Sequence, residues 1–209
     1  MENSVQKKNK DRAGIDRTAD RPPITLRKAL RHFRTITHHR HLVFRECVQV
    51  GLIWQGLTHD LSKYSPTEFL VGARYYQGTR SPNNAEREDI GMSTSWLHHK
   101  GRNKHHYEYW LDYSAQMNGG INGSGIMPCR MPLRYVIEMF MDRIAASKTY
   151  NGASYRQTDA LAYYQRGNTA RFLHPDTAKL LEYLLQLLAD EGEEAAFAKV
   201  REILRRGSY

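Results

Sequence analysis

His59 and Asp60 stand side by side in the segment Gly56-Leu57-Thr58-His59-Asp60-Leu61-Ser62-Lys63-Tyr64. An imidazole nitrogen and a hard carboxylate oxygen at neighbouring positions can bracket or bridge a divalent metal ion. The dipeptide alone is common: Asp60 could equally cap a helix while His59 makes a local hydrogen bond. Its surroundings add weight. His38, His39 and His41 lie upstream, and Asp142 lies downstream in the run Phe140-Met141-Asp142-Arg143-Ile144. A carboxylate among apolar neighbours is costly unless it is paired or holds a cation. The plainer alternative for Asp142 is an ion pair with Arg143 or Arg134.

A second cluster, Trp96-Leu97-His98-His99-Lys100-Gly101-Arg102-Asn103-Lys104-His105-His106, places four histidines and three cations within nine residues. Such a segment suits phosphate, and its imidazoles titrate near neutrality, where one can protonate a leaving oxygen. The expected roles are His98 and His106 as further metal ligands, and His99 and His105 with Lys63 as catalytic groups. Lys63, Arg102 and Lys104 are the cations available to orient a phosphate. Read without chemistry, the cluster is a basic, solvent-exposed turn. Adjacent helical residues point about 100° apart, so both members of a pair rarely serve one metal ion.

These side chains converge only if the elements carrying them pack together. Leu26, Leu30, Phe33, Ile36, Val43, Cys47 and Val50 recur at helical spacings from Ile24 onward. His39 falls near that inward face, and His38 and His41 point elsewhere. Gly51 and Gly56 mark breaks or close helix contacts. Ser65-Pro66 begins a helix, a third stretch is expected from Ala85 to Lys100, and Asn103 caps a short helix carrying His105 to Trp110. A glycine-rich loop spans Asn118 to Gly125, with the composition of a surface loop or lid. Leu133 to Ser147 is helical, Pro175 starts a leucine-rich helix that ends near Gly192, and a last helix reaches Arg205. Strand signals are nearly absent. The expectation is an all-α chain: a polar, disordered basic arm over residues 1–23, then a single helical bundle over 24–209 with a C-terminal helical pair. The paired leucines of the Pro175 helix serve packing and also permit a homodimer face.

The order His39, His59-Asp60, Asp142 on helices resembles the HD-domain superfamily of metal-dependent phosphohydrolases. Lys63 extends the match, since the lysine following the doublet lies near substrate phosphate in that superfamily. The segments QGLTHDLSKYSPTEF, YYQG, WLHHKGRNKHHYEYW and MFMDRIAASKTY also resemble a bacterial and phage family of unknown function, over roughly residues 25 to 189. The superfamily resemblance implies an HD-like helical fold with His39, His59, Asp60 and Asp142 as metal ligands. It further implies that downstream histidines can hold an additional ion, as in the HD-GYP class.

The chain has 209 residues, with Lys+Arg 31 against Asp+Glu 22, a formal charge of +9 and a sequence pI near 9.6. That balance suits anionic partners: a nucleotide or other small phosphorylated substrate, or nucleic acid. Nine of the ten histidines lie between His32 and His106. No run approaches the roughly 18 apolar residues of a membrane span, and the first 23 residues lack the apolar stretch of a secretory signal. Cys47 and Cys129 make no disulfide framework, so a reducing cytoplasm is expected. The motifs GxxxxGK[ST], GxGxxG, HExxH and GxSxG are absent. A mixed histidine and carboxylate set suits one or two ions of Mn, Fe, Zn, Co or Ni. The leading expectation is a phosphohydrolase working through metal-activated water. Beside it stand a di-iron oxygenase on a similar scaffold and a non-enzymatic binder of nucleotide or nucleic acid.

Overall fold

The computed structural model describes residues 21–209, so the expected arm over 1–23 falls almost entirely outside the described residues. α1, Leu26–Gln49, opens at Thr25, whose hydroxyl accepts from the Lys28 amide at 3.2 Å. Ile36, His39, Val43 and Cys47 form its buried stripe. Leu26, Leu30 and Phe33, expected on that stripe, are instead 77%, 49% and 46% exposed. The cover over this end of α1 decides which face is buried. It comes from α3, Pro66–Arg74, whose Gly72 receives the imidazole of His32 between Phe69 and Tyr76. At about 100° per residue, burying His32 turns Phe33 outward.

α2, Ile53–Thr58, lies against α1 because Gly56 has no side chain: a Cβ there would stand 3.0 Å from both the Cα of Phe44 and the Cβ of Cys47. A short 3₁₀ turn, Leu61–Tyr64, links α2 to α3. The expected helix over 85–100 is two helices, α4 (Pro82–Ile90) and α5 (Thr94–Lys100). Gly91 at φ 82° ends the first, and the Ser93 hydroxyl caps the second by accepting from the Trp96 amide at 3.1 Å. Instead of the short α-helix expected after Asn103, a 3₁₀ turn spans Tyr107–Trp110. A three-residue hairpin follows, β1 (Leu111–Tyr113) antiparallel to β2 (Ile126–Pro128), with Tyr113 opposite Ile126. Strands this short leave no alternating pattern to read in sequence.

α6, Leu133–Asn151, is the central helix; α7 spans Asp159–Arg166 and α8 Pro175–Arg206. Gly192, at φ 91°, breaks α8 into two segments, the C-terminal pair the sequence suggests. Eight α-helices and one two-stranded hairpin make the described residues mostly α. Ile137, Phe140, Met141 and Ile144 of α6 are fully buried, packed with Val43 and Cys47 of α1 and with Leu181, Leu184, Leu185 and Leu188 of α8. Those α8 leucines are spent on this chain's own core rather than on a partner helix. No helix among the described residues is long and apolar enough to cross a membrane. Cys47 and Cys129 are both free.

The α1–α2 contact sets where the His-Asp doublet emerges, which gives a first prediction. Gly56→Ala is expected to destabilise the fold by about 1–3 kcal/mol, because the added methyl meets backbone that cannot swing aside. Denaturant melts check this; an unchanged midpoint would mean the two helices separate freely.

Candidate metal centre

Four stretches of chain deliver the polar side chains to one place. α1 carries His39 inward, and α6 carries Glu138 and Asp142 on one face, four residues apart. The doublet comes from the end of α2. Arg40 of α1 holds that end, donating from Nε to the His59 carbonyl at 2.7 Å and from Nη2 to the Leu57 carbonyl at 3.0 Å. A guanidinium on the last carbonyls of a helix satisfies acceptors that have no partner within it. Asp60 then takes a left-handed conformation, φ 53°, and the chain reverses into the 3₁₀ turn. A non-glycine residue in this region signals a backbone fixed by its surroundings. Its side chain makes no cap bond, so the capping reading of Asp60 does not hold. α5 and the turn after it bring His99, His105 and His106.

The result is a cluster around the Asp60 carboxylate. Oδ2 faces the Nε2 atoms of His59 at 3.3 Å and His39 at 3.7 Å, and Oδ1 faces those of His99 at 3.2 Å and His105 at 3.4 Å. Asp142 Oδ1 lies 3.0 Å from His39 Nε2 and 3.5 Å from His59 Nε2. The Nε2 atoms of His39 and His59 approach to 3.4 Å, and those of His99 and His106 to 2.8 Å. Two sets of donor atoms are each mutually within 4.8 Å: His39, His59, Asp60 and Asp142, and Asp60, His99, His105 and His106. Asp60 belongs to both. Oδ1 of Asp60 and Nε2 of His105 are buried without a hydrogen-bond partner, and Oδ2 meets only the ammonium of Lys63 within 3 Å. Buried polar atoms normally have one. Lone pairs converging from imidazoles and carboxylates, with orphaned atoms at their meeting point, are what a divalent cation requires, so the residues fit a metal site.

The electrostatics divide the donors into two groups. Burial disfavours a charged Asp60, but His59, Lys63 and His99 outweigh it and hold its pKa well below the usual carboxylate value. Asp142 is held well below as well, the hydrogen bonds from His39 and His59 exceeding the cost of burial. Burial lowers His39, with Lys63 adding to the effect, and burial beside His105 and His99 lowers His106 far more. His59 and His99 go the other way: burial opposes their charge, yet Asp60 and their other carboxylate partners raise both. A cation must therefore displace protons from those two rings.

The structure gathers His39, His59, Asp60, His106 and Asp142 as the sequence suggests, and changes the parts of others. His99 and His105, expected as proton donors, are among the convergent donors. His98, expected as a ligand, is not: its Nδ1 bonds Glu68 Oε1 at 2.6 Å, one helical residue of rotation away from the cluster. Within the pair 105–106, which precedes the 3₁₀ turn, both rings turn inward because His106 is extended rather than helical. His38 and His41 are exposed. Asp142 makes no pair with Arg143, whose guanidinium sits over the Tyr164 ring at 5.4 Å. Lys63 reaches Asp60 Oδ2 at 2.6 Å with its side chain 29% exposed, the one predicted phosphate-orienting cation in contact with the cluster. Arg102 and Lys104 stay exposed; Arg102 donates to the His98 carbonyl and Lys104 lies over Tyr109 and Tyr135. Because three of its four histidines face inward, the 98–106 segment is not the solvated basic turn its composition allows.

Three contributors were not singled out in sequence. Glu138 Oε1 lies 3.0 Å from Nδ1 of both His59 and His105. Glu68 Oε2 lies 2.8 Å from Nδ1 of His99. Asn103, expected as a helix cap, is buried and donates to Ser62 Oγ and to the His99 carbonyl, both at 2.8 Å. Glu138 carried a readable signal: it is a carboxylate in the same apolar run as Asp142, four residues before it. Among the comparisons with known proteins, a family model described as "Family of unknown function (DUF5662)" matches residues 28–187, which include every residue of the cluster. No curated protein and no solved structure matches the chain.

Proposed function

We propose that this chain, which belongs to the family of unknown function DUF5662, is a metal-dependent phosphohydrolase of the HD type acting on a nucleotide or another small phosphorylated metabolite. One observation carries the reading: two donor sets that share the buried carboxylate of Asp60, whose Oδ1 has no hydrogen-bond partner. A pair of divalent ions there supplies Lewis acidity, both to activate water and to offset charge on a phosphoryl group. The chain's own part is positional. His39, His59 and Asp142 would hold one ion and His99, His105 and His106 the other, with Asp60 between them. Lys63, ionised beside Asp60 and partly open to solvent, is placed to bind a phosphate oxygen. Its pKa is raised because the charges of Asp60 and Asp142 outweigh burial, so it stays cationic across the neutral range.

The test is phosphate release from a panel of nucleotides and phosphomonoesters by Mn²⁺-loaded protein, with the chelated protein as control. Lys63→Gln is expected to lower kcat/KM by about 10²-fold, the scale for removing one group that stabilises developing charge, with metal content unchanged. No release from any member of the panel, together with oxygen uptake by iron-loaded protein, would replace this reading with an oxygenase. Salt-sensitive nucleic-acid binding that survives chelation, without turnover, would replace it with a binder.

A further inference from the structure

Glu138 offers a single oxygen to two imidazoles that belong to different donor sets. Its Oε1 lies 3.0 Å from Nδ1 of His59 and 3.0 Å from Nδ1 of His105. The opposite nitrogens of the same rings point to opposite oxygens of Asp60: His59 Nε2 to Oδ2 at 3.3 Å, His105 Nε2 to Oδ1 at 3.4 Å. The two rings lie 4.4 Å apart between centroids, and Glu138 is 5% exposed. An ionised carboxylate only accepts, so each Nδ1 facing it must carry a hydrogen. With Nδ1 held as the N–H, Nε2 of each ring is the nitrogen that would bind an ion at the metal positions.

We infer that Glu138 is a positioning residue serving both ion positions at once, acting through His59 on one and His105 on the other rather than as a metal ligand. The inference rests on the two-ion reading of the Asp60 cluster. It also separates Glu138 from Glu68, which reaches only His99 among the convergent rings and therefore acts on one position. His59, His105 and Glu138 also form a set of mutually close donor atoms. In that set the imidazoles face Glu138 through Nδ1, the nitrogens opposite those that face Asp60.

The experiment uses the full chain, stripped of metal and titrated with Co²⁺ alone, read by the d–d absorption bands and by equilibrium dialysis. Wild type is expected to bind two ions. Glu138→Leu is expected to weaken both binding steps by about 10–100-fold, the usual cost of losing a partner behind a metal ligand. Glu138→Gln keeps an oxygen able to accept from both rings, so two ions are expected to remain, with a shifted spectrum and about tenfold weaker binding. Glu68→Leu is expected to weaken one step only. If Glu138→Leu fails to fold, Glu138→Gln decides the matter. Wild-type affinity and an unchanged spectrum in the Gln variant overturn the inference, as does complete loss of one ion from both variants, which would make Glu138 a ligand. Wild type that takes up no Co²⁺ sinks the metal-centre reading itself, a result distinguishable from two-ion binding that ignores Glu138.

Discussion

Asp60→Asn is expected to empty the centre of metal, taking elemental content from about two ions per chain to none, and phosphate release with it. No other residue belongs to both Asp60-centred donor sets. The substitution keeps the shape of the side chain and removes what a cation needs. One carboxylate oxygen becomes an amide nitrogen that donates, so either the His39–His59 side or the His99–His105 side loses its accepting oxygen. The negative charge that offsets two adjacent cations disappears as well. Lys63, 2.6 Å from Oδ2, loses the partner that holds it at the mouth of the site. His39→Ala provides the scale: it lies in one set only, so one ion is expected to remain. Metal analysis after purification in Mn²⁺, with a chelator-washed control, separates these outcomes. Wild-type metal content in Asp60→Asn would show that the two donor sets do not meet at this carboxylate.

How much of this was readable in the residues follows from the range of the forces involved. Helices were legible where apolar spacing is sustained, as in Val136 to Ile144 and Leu180 to Leu188, because burial of a whole face selects that pattern. The first turns of α1 misled because their apolar residues follow the same spacing, while the contact that buries this end is made by His32 in the notch at Gly72. The break at Gly91 and the hairpin at Leu111–Tyr113 are local backbone events with little periodic content. At the site, His39, His59, Asp60 and Asp142 announced themselves as polar groups on otherwise apolar faces. Which of His98 and His99 turns inward depends on one helical residue of rotation, set by the Glu68 carboxylate on another helix. That information lies between elements and not in the spacing of either. Glu138 was legible by the argument already used for Asp142, and its role was hidden because its partners lie 79 and 33 residues before it.

Chelation is expected to lower the melting midpoint strongly, and more so as pH rises. A ligand that binds only the folded state stabilises it by RT ln(1 + [L]/Kd), about 4 kcal/mol for an ion present at 1,000 times its Kd. For a chain of this length 1 kcal/mol moves the midpoint by about 2–4 °C, so each ion is expected to contribute roughly 8–16 °C. The pH trend follows from His59 and His99, whose pKa values are raised in the folded apo protein. A raised imidazole contributes stability that is fully present below its unfolded value of 6.5 and is lost as pH climbs through the folded value. The chelated protein therefore weakens above pH 6.5, because its folded state must keep on His59 and His99 the protons that the unfolded chain releases, and the contribution is gone once pH passes the folded values. In the loaded protein the cations have already displaced those protons, so no such loss occurs, and binding itself tightens as proton competition fades. The gap between loaded and chelated midpoints should thus widen from pH 6 to pH 8, and Asp60→Asn, which holds no ion, should show no gap at either pH. Calorimetry of both proteins with and without Mn²⁺ measures this. A wild-type midpoint indifferent to chelator at pH 8 would mean that the buried imidazoles and carboxylates are satisfied by one another, without a cation.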